Sequence, residues 1–238
     1  MNLFLQDRCL LCHEPISPNV SWRAMVSIEK EQPICSTCEN KLEKIEGETC
    51  QICSRPFILL DEKFRHGDLC HDCKRWEDDS EWQGFLDKNI SLFLYNDFLK
   101  EVLGKFKFRG DYALVKVFAE IMKDKLTKMA PDLFVPIPLS DERLYERGFN
   151  QSEALLAESG FAPSGIITRI HSEKQSKKSR SERIHLPQVF KICNDVNLKD
   201  KNILIIDDIY TTGSTLRHAA KLLKGAGAAA IQSITIAR

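Results

Sequence analysis

The chain has 238 residues, 43% of them hydrophobic, enough for one sizeable core and a smaller attached module. No run approaches the length of a membrane span, which excludes helical membrane insertion, and the opening stretch "MNLFLQDRCLLCHEP" has neither a basic n-region nor a small-residue cleavage site, so a cytoplasmic protein is expected. Formal net charge is zero but unevenly spread: residues 1–83 carry 10 Lys+Arg and 16 Asp+Glu, leaving 24 and 18, a surplus of six that permits a phosphate or nucleic acid partner without requiring one.

Eight of the nine cysteines fall in four CxxC units, Cys9/Cys12, Cys35/Cys38, Cys50/Cys53 and Cys70/Cys73. Each unit offers two thiolates to one tetrahedral ion, and structural zinc takes four ligands, so the four units saturate two zinc ions. A disulfide framework is the alternative, but it needs an oxidising compartment. Spacing leaves the pairing open. Consecutive units give two successive ribbons, whereas Cys35/Cys38 with Cys50/Cys53 leaves the outer units to meet across a nested fold. His13, His66 and His71 stand beside these units and, with eight cysteines available, are read as bystanders. A closed four-thiolate site has no open coordination position, so the metal is expected to hold residues 1–83 together and to do no hydrolysis. This module is acidic, and thiolate-bound zinc adds negative charge, so protein contact is expected of it rather than strong phosphate binding.

The polar segment "WEDDSEWQG", ending at Gly84, reads as a linker to a second domain over residues 84–238. There "ISLFLY" predicts a strand, and helices follow through "DFLKEVLGKFKF", capped by Asp97, and "DYALVKVFAEIMKDKLTKM", capped by Asp111. "LFVPIPLS" predicts a strand that its prolines interrupt, then come a helix near "NQSEALLAES" and the strand "GIITRI". The polar stretch 171–186 is followed by "FKICND", where Cys193 is expected to pack as a small apolar side chain. The strand "NILIIDDIY", a helix from about Ser214 to Lys224 and the strand "IQSITIAR" complete the chain. Alternating strands and helices argue for a parallel sheet flanked by helices, an α/β fold. "GAGAAA" fits a relaxed dinucleotide fingerprint but follows a helix, the reverse of the order that chemistry needs, so it is read as a helix stop.

The stretch "ILIIDDIYTTGST" joins an apolar strand to two carboxylates and then to small hydroxylated residues around Gly213. In open α/β sheets ligands bind beyond the carboxyl ends of strands. Thr211, Thr212, Gly213, Ser214 and Thr215 would offer N–H groups, hydroxyls and a helix start to a phosphate. Asp207 and Asp208 repel a phosphate, so they suit vicinal hydroxyls or a metal bound to them. A ribose 5-phosphate carries both groups.

That stretch resembles the PRPP-binding signature of type I phosphoribosyltransferases, departing at Tyr210, where a smaller aliphatic is usual. Together with "VPIPLSDERLYERGFNQS" and the four CxxC units, the chain resembles the ComF family of competence proteins, a double zinc ribbon ahead of a phosphoribosyltransferase domain. The resemblance implies that Asp207 and Asp208 contact ribose hydroxyls as the catalytic pair, that Thr211 through Thr215 hold the 5-phosphate, and that Mg2+ bridges diol and pyrophosphate. It implies further that Ser140, Arg143 and Arg147 face the pyrophosphate oxygens, Arg being suited to bidentate contact, with a surface ion pair as the plainer use of Arg143. By the same resemblance "HSEKQSKKSRSERIHL" stands in place of a flexible loop, led by Lys174, Gln175, Arg180 and Arg183. The partners it implies are single-stranded DNA, the helicase ComFA, and PRPP or a related sugar phosphate. Lys105 to Gly110, "KFKFRG", could meet a DNA backbone, although core packing is the expected use of Phe106 and Phe108. Transfer of ribose 5-phosphate from PRPP to a nucleobase is the alternative expectation; no base-recognition segment is identifiable.

Overall fold

The computed structural model describes residues 8–16, 33–108, 111–170, 189–193 and 196–238. Four parallel strands form the central sheet: β3 (Lys88–Phe93), β4 (Leu133–Pro136), β7 (Asn202–Ile209) and β8 (Ala230–Ala237), in the order β3-β8-β7-β4. Strand β7 is central, and its run of Ile203, Leu204, Ile205 and Ile206 is buried throughout, as a parallel strand covered on both faces requires. Side chains alternate across a strand, so Leu204 and Ile206 enter one core while Ile203 and Ile205 enter the other.

The first core is closed by α3 (Asp97–Phe108), α4 (Val115–Met129) and α6 (Gln151–Glu158). On α3, Leu99, Val102, Leu103 and Phe106 recur at helical spacing and are buried. Each such side chain contributes about 1.5–3 kcal/mol relative to exposure. The second core is closed by α7 (Ser214–Gly225), through Leu216, Ala219, Ala220 and Leu223.

The cysteine-bearing segments straddle the β3 edge of this sheet. Cys9 and Cys38, the latter on α1 (Ser36–Lys41), pack into the first core. Cys50, Cys53, Cys70 and Cys73 pack into the second, carried by the hairpin β1 (Arg65–His66) and β2 (Leu69–Cys70) and by α2 (His71–Glu77). The free edge of β3 is paired by this half of the chain: Ile45 N–H donates to Leu92 O at 3.0 Å, Leu94 N–H to Glu43 O at 2.8 Å, and Asn89 N–H to Ile52 O. An unpaired edge strand is a template for aggregation, and here it is covered.

Several local expectations need correction. The stretch read as a linker is packed in place: Trp76 and Trp82 are 5% and 4% exposed and meet edge to face at 5.2 Å. Two large rings buried by tertiary contact outweigh the polarity of their neighbours. Asn96, not Asp97, caps α3, its Oδ1 accepting from Leu99 N at 2.9 Å. Asp111 makes no side-chain cap bond, and its segment enters α4 through a turn of 3-10 helix at Tyr112–Leu114. "GIITRI" contributes β5 (Ile167–Arg169), which pairs antiparallel with β6 (Phe190–Ile192) in a separate ribbon and does not join the parallel sheet. Cys193 is half-exposed, its thiol 3.1 Å from Thr168 Oγ1, because it lies just past the end of this short ribbon. Phe106 is buried as expected, but Phe108, at the last position of α3, is 71% exposed.

Candidate functional site

The site forms at the carboxyl ends of β7 and β4. Strand β7 delivers Asp207 and Asp208, and the loop 210–213 turns directly into α7. Asp207 accepts the N–H of Asp208 on Oδ1 at 2.9 Å. Burial pushes its carboxyl pKa up to about 7, Asp208 adds to the rise, and Lys107 and Arg169 oppose it. Asp208 is held by Lys107, whose Nζ lies 2.8 Å from Oδ2. The first carboxylate is thus poised near neutrality while the second sits in an internal ion pair.

The loop owes its shape to Gly213 and Tyr210. Gly213 has φ +79, and a Cβ there would collide with the Tyr210 hydroxyl and lie 2.5 Å from Cζ. Tyr210 is buried, with the Arg238 guanidinium 4.7 Å above its ring. The aromatic that departs from the signature fills the floor of the loop, so only glycine fits above it. Thr212 accepts the indole N–H of Trp76 on its carbonyl at 3.0 Å, and its Oγ1 accepts the N–H of Ser214 at 3.4 Å. Thr211 is exposed, while Thr212, Ser214 and Thr215 are half-buried at the mouth of α7. The first N–H groups of a helix have no intrahelical acceptor and attract anions.

Opposite the loop, the segment after β4 forms α5 (Asp141–Arg147), capped by Ser140, whose Oγ accepts from Arg143 N at 3.3 Å. Arg147, at the end of this helix, lies within electrostatic reach of both carboxylates. Arg147 is half-buried, donates from Nη1 to Gln151 Oε1 at 2.8 Å and lies 5.6 Å over the Phe108 ring. Burial lowers its pKa, and both Asp208 and Asp207 favour its charged form against that. Its Nε has no partner among the described residues. Arg143 is exposed at the rim, within electrostatic reach of Arg147 and Arg169.

The structure therefore gathers Asp207, Asp208, Arg147 and the loop Thr211 to Thr215, with Arg143 and Ser140 at the margin. Lys174, Gln175, Arg180 and Arg183 lie outside the described residues. Two cations in the cluster escape the sequence reading. Arg169, at the end of β5, has its pKa lowered by burial and by Arg143 and is drawn to Asp207. The basic "KFKFRG" pattern marks Lys107 only as part of a DNA-contacting stretch; its carboxylate partner is set by tertiary packing. Chemically, the arrangement offers acceptors for hydroxyls or a cation, a helix start for a phosphate, and three to four cations for further phosphate oxygens.

The cysteines resolve into two tetrads of consecutive units, Cys9, Cys12, Cys35, Cys38 and Cys50, Cys53, Cys70, Cys73, with the sulfurs in each within 4.8 Å of one another. A zinc tetrahedron with arms of about 2.3 Å has edges of about 3.8 Å. Cys12 and Cys35 sulfurs are 3.8 Å apart and Cys53 and Cys70 sulfurs 3.6 Å, so both tetrads fit a structural zinc. Cys70 N–H also donates to Cys50 Sγ at 3.3 Å. The neighbouring histidines stand outside both tetrads: His66 Nε2 faces His71 Nδ1 at 3.2 Å.

Comparison with known proteins agrees with this division of parts. Residues 1–74 match the family model of the double zinc ribbon domain, and residues 159–238 that of the phosphoribosyl transferase domain. Competence protein ComFC of Bacillus subtilis (strain 168) is 40% identical over 97% of this chain and 94% of its own length. Competence protein ComFC of Streptococcus pneumoniae (strain ATCC BAA-255 / R6) is 33% identical over 97% of this chain and all of its own, 100%. DNA utilization protein YhgH of Escherichia coli (strain K12) is 32% identical over 43% of this chain and 47% of its own length. No helix among the described residues is long and apolar enough to cross a membrane.

Proposed function

This chain belongs to the family of the competence protein ComFC, and we propose that it serves DNA uptake in competence, using a PRPP-type sugar phosphate bound at the end of β7. The single observation that carries the reading is the pairing of Asp207 and Asp208 with a glycine-shaped helix start directly behind them. In the bound state the carboxylates take the ribose diol, directly or through Mg2+, and Thr211 to Thr215 take the 5-phosphate. Lys107 leaves Asp208 for the phosphate oxygens, joined there by Arg147, Arg169 and, from the rim, Arg143. Mg2+ would supply charge neutralisation at the leaving pyrophosphate, and a cation beside Asp207 would favour its ionised form.

Two labours divide along the chain. Residues 1–83 hold two structural zinc ions, brace the sheet edge and contact protein, with the helicase ComFA as the partner. Residues 84–238 hold the sugar phosphate and, through the basic segments around Lys107 and residues 171–186, incoming single-stranded DNA. The acidic balance of the first part and the surplus of six in the second support this split. A cytoplasmic location follows from these partners.

A second reading, turnover of PRPP with a nucleobase acceptor, is favoured by the Phe108 ring. It is 71% exposed beside Arg147 and offers a stacking face next to the sugar site. Titration with a short single strand and with Mg-PRPP, followed by competition between them, tests both readings. Salt-sensitive strand binding supports the first; absence of strand binding at low salt removes it, and PRPP consumption with a nucleobase selects the second.

A further inference from the structure

The buried guanidinium of Arg217 has no role in the site as described. Arg217 stands in the first turn of α7, is 0% exposed, and lies 5.1 Å over the Trp76 ring. Its Nη1 donates to Glu77 Oε1 at 2.8 Å, while Nε and Nη2 have no partner among the described residues. Arg238 likewise leaves Nε and Nη1 unpartnered. Buried donors without acceptors call for an explanation. Arg217 packs over Trp76 and bonds Glu77, both on the helix that carries Cys73 of the second tetrad.

A zinc ion held by four thiolates is a doubly negative group, and in a buried site such a group needs nearby cations. The tetrad and the two guanidiniums each supply what the other lacks. Helix α2 carries the connection onward. Cys73 is a ligand of the tetrad; Trp76, one turn on, donates to Thr212 O; and Glu77 receives Arg217. Three consecutive contacts of one helix thus tie the metal to the phosphate loop and to the first turn of α7. Among the described residues the other tetrad has no such tie: Cys12 is exposed, Cys35 is half-exposed, and its buried members face the opposite core.

We propose that the zinc of the Cys50, Cys53, Cys70, Cys73 tetrad positions the phosphate loop through Trp76 and Arg217, whereas the zinc of the first tetrad stands apart from it. Trp76 and Arg217 are then positioning residues of the loop, reached through α2. Only the sugar-phosphate arm of the test below rests on the function proposed above.

The test uses full-length, doubly zinc-loaded protein. Zinc release to a chelator is followed together with amide hydrogen exchange across Thr211 to Leu216. The expected result is stepwise: the first equivalent leaves without altering exchange in the loop, and loss of the second coincides with its deprotection. Trp76→Phe keeps an aromatic ring and deletes the donor; it should retain both zinc ions, raise loop exchange roughly tenfold, and weaken ribose 5-phosphate binding by a similar factor. Cys12→Ser should lose one zinc and leave loop exchange unchanged. Equal release of both ions, or loop exchange indifferent to loss of the second, overturns the proposal. Stepwise deprotection in a protein that binds no ribose 5-phosphate supports the coupling and removes the sugar-phosphate reading instead.

Discussion

Gly213 and Asp207 each hold one half of the site in a state that another residue would not tolerate. At Gly213 the constraint is steric: φ is +79 and the space for a side chain is occupied by Tyr210. Gly213→Ala should cost at least about 1–2 kcal/mol from the backbone conformation alone, more from the clash, and should abolish sugar-phosphate binding. Urea denaturation and ligand titration read the two effects separately. Asp207 is held against its own charge. An unfolded aspartate titrates near about 3.9, so between that pH and about 7 the folded protein keeps a proton that the unfolded chain has released. Stability from this group is therefore full below the unfolded value and is lost as pH rises through about 7. Asp207→Asn should raise the melting temperature at pH 8 and leave it nearly unchanged below about pH 4. An equal gain at both would show that Asp207 ionises normally. The carboxylates were legible in the sequence because adjacent acids at the end of an apolar strand have no packing use. Arg169 was not, because nothing in "GIITRI" distinguishes a cation aimed at Asp207 from one aimed at water.

At the scale of elements, β7 and α7 followed from periodicity, since continuous burial and helical spacing each leave a clear pattern. Helix α5 is hidden in the sequence: it has no buried residue, so its seven positions carry no apolar period, although Ser140 caps it. The antiparallel ribbon of β5 and β6 was hidden for a related reason, its strands being three residues each. Helix α3 contributes more to the site than its core face suggested, because its last turn places Lys107 on Asp208, both largely buried. Removing one member of such a pair strands the other charge. Lys107→Met should destabilise the fold by roughly 1–3 kcal/mol. Adding Asp208→Asn should recover most of that loss, and a double-mutant cycle in urea measures the coupling. Additive single effects would mean that the pair contributes nothing.

On the scale of the whole molecule, two zinc ribbons clasp the β3 edge of a parallel sheet, one packing into each core, and α2 of the second reaches the loop that follows the carboxylates of β7. The four CxxC units declared the metal sites in full, but not their pairing, which only the packing of consecutive units on opposite faces decides. Segment "WEDDSEWQG" carried the least visible information, since its two tryptophans join the ribbon half to the sheet half while its acids read as solvent-facing. The proposed function requires a single ligand grasped at both ends by the turn after β7. Calorimetric titration of the zinc-loaded protein with PRPP in the presence of Mg2+ tests it most directly. Saturable binding that is lost in Asp207→Asn/Asp208→Asn, with both zinc ions retained, is the predicted result; equal binding by the wild-type and double-variant proteins would contradict it.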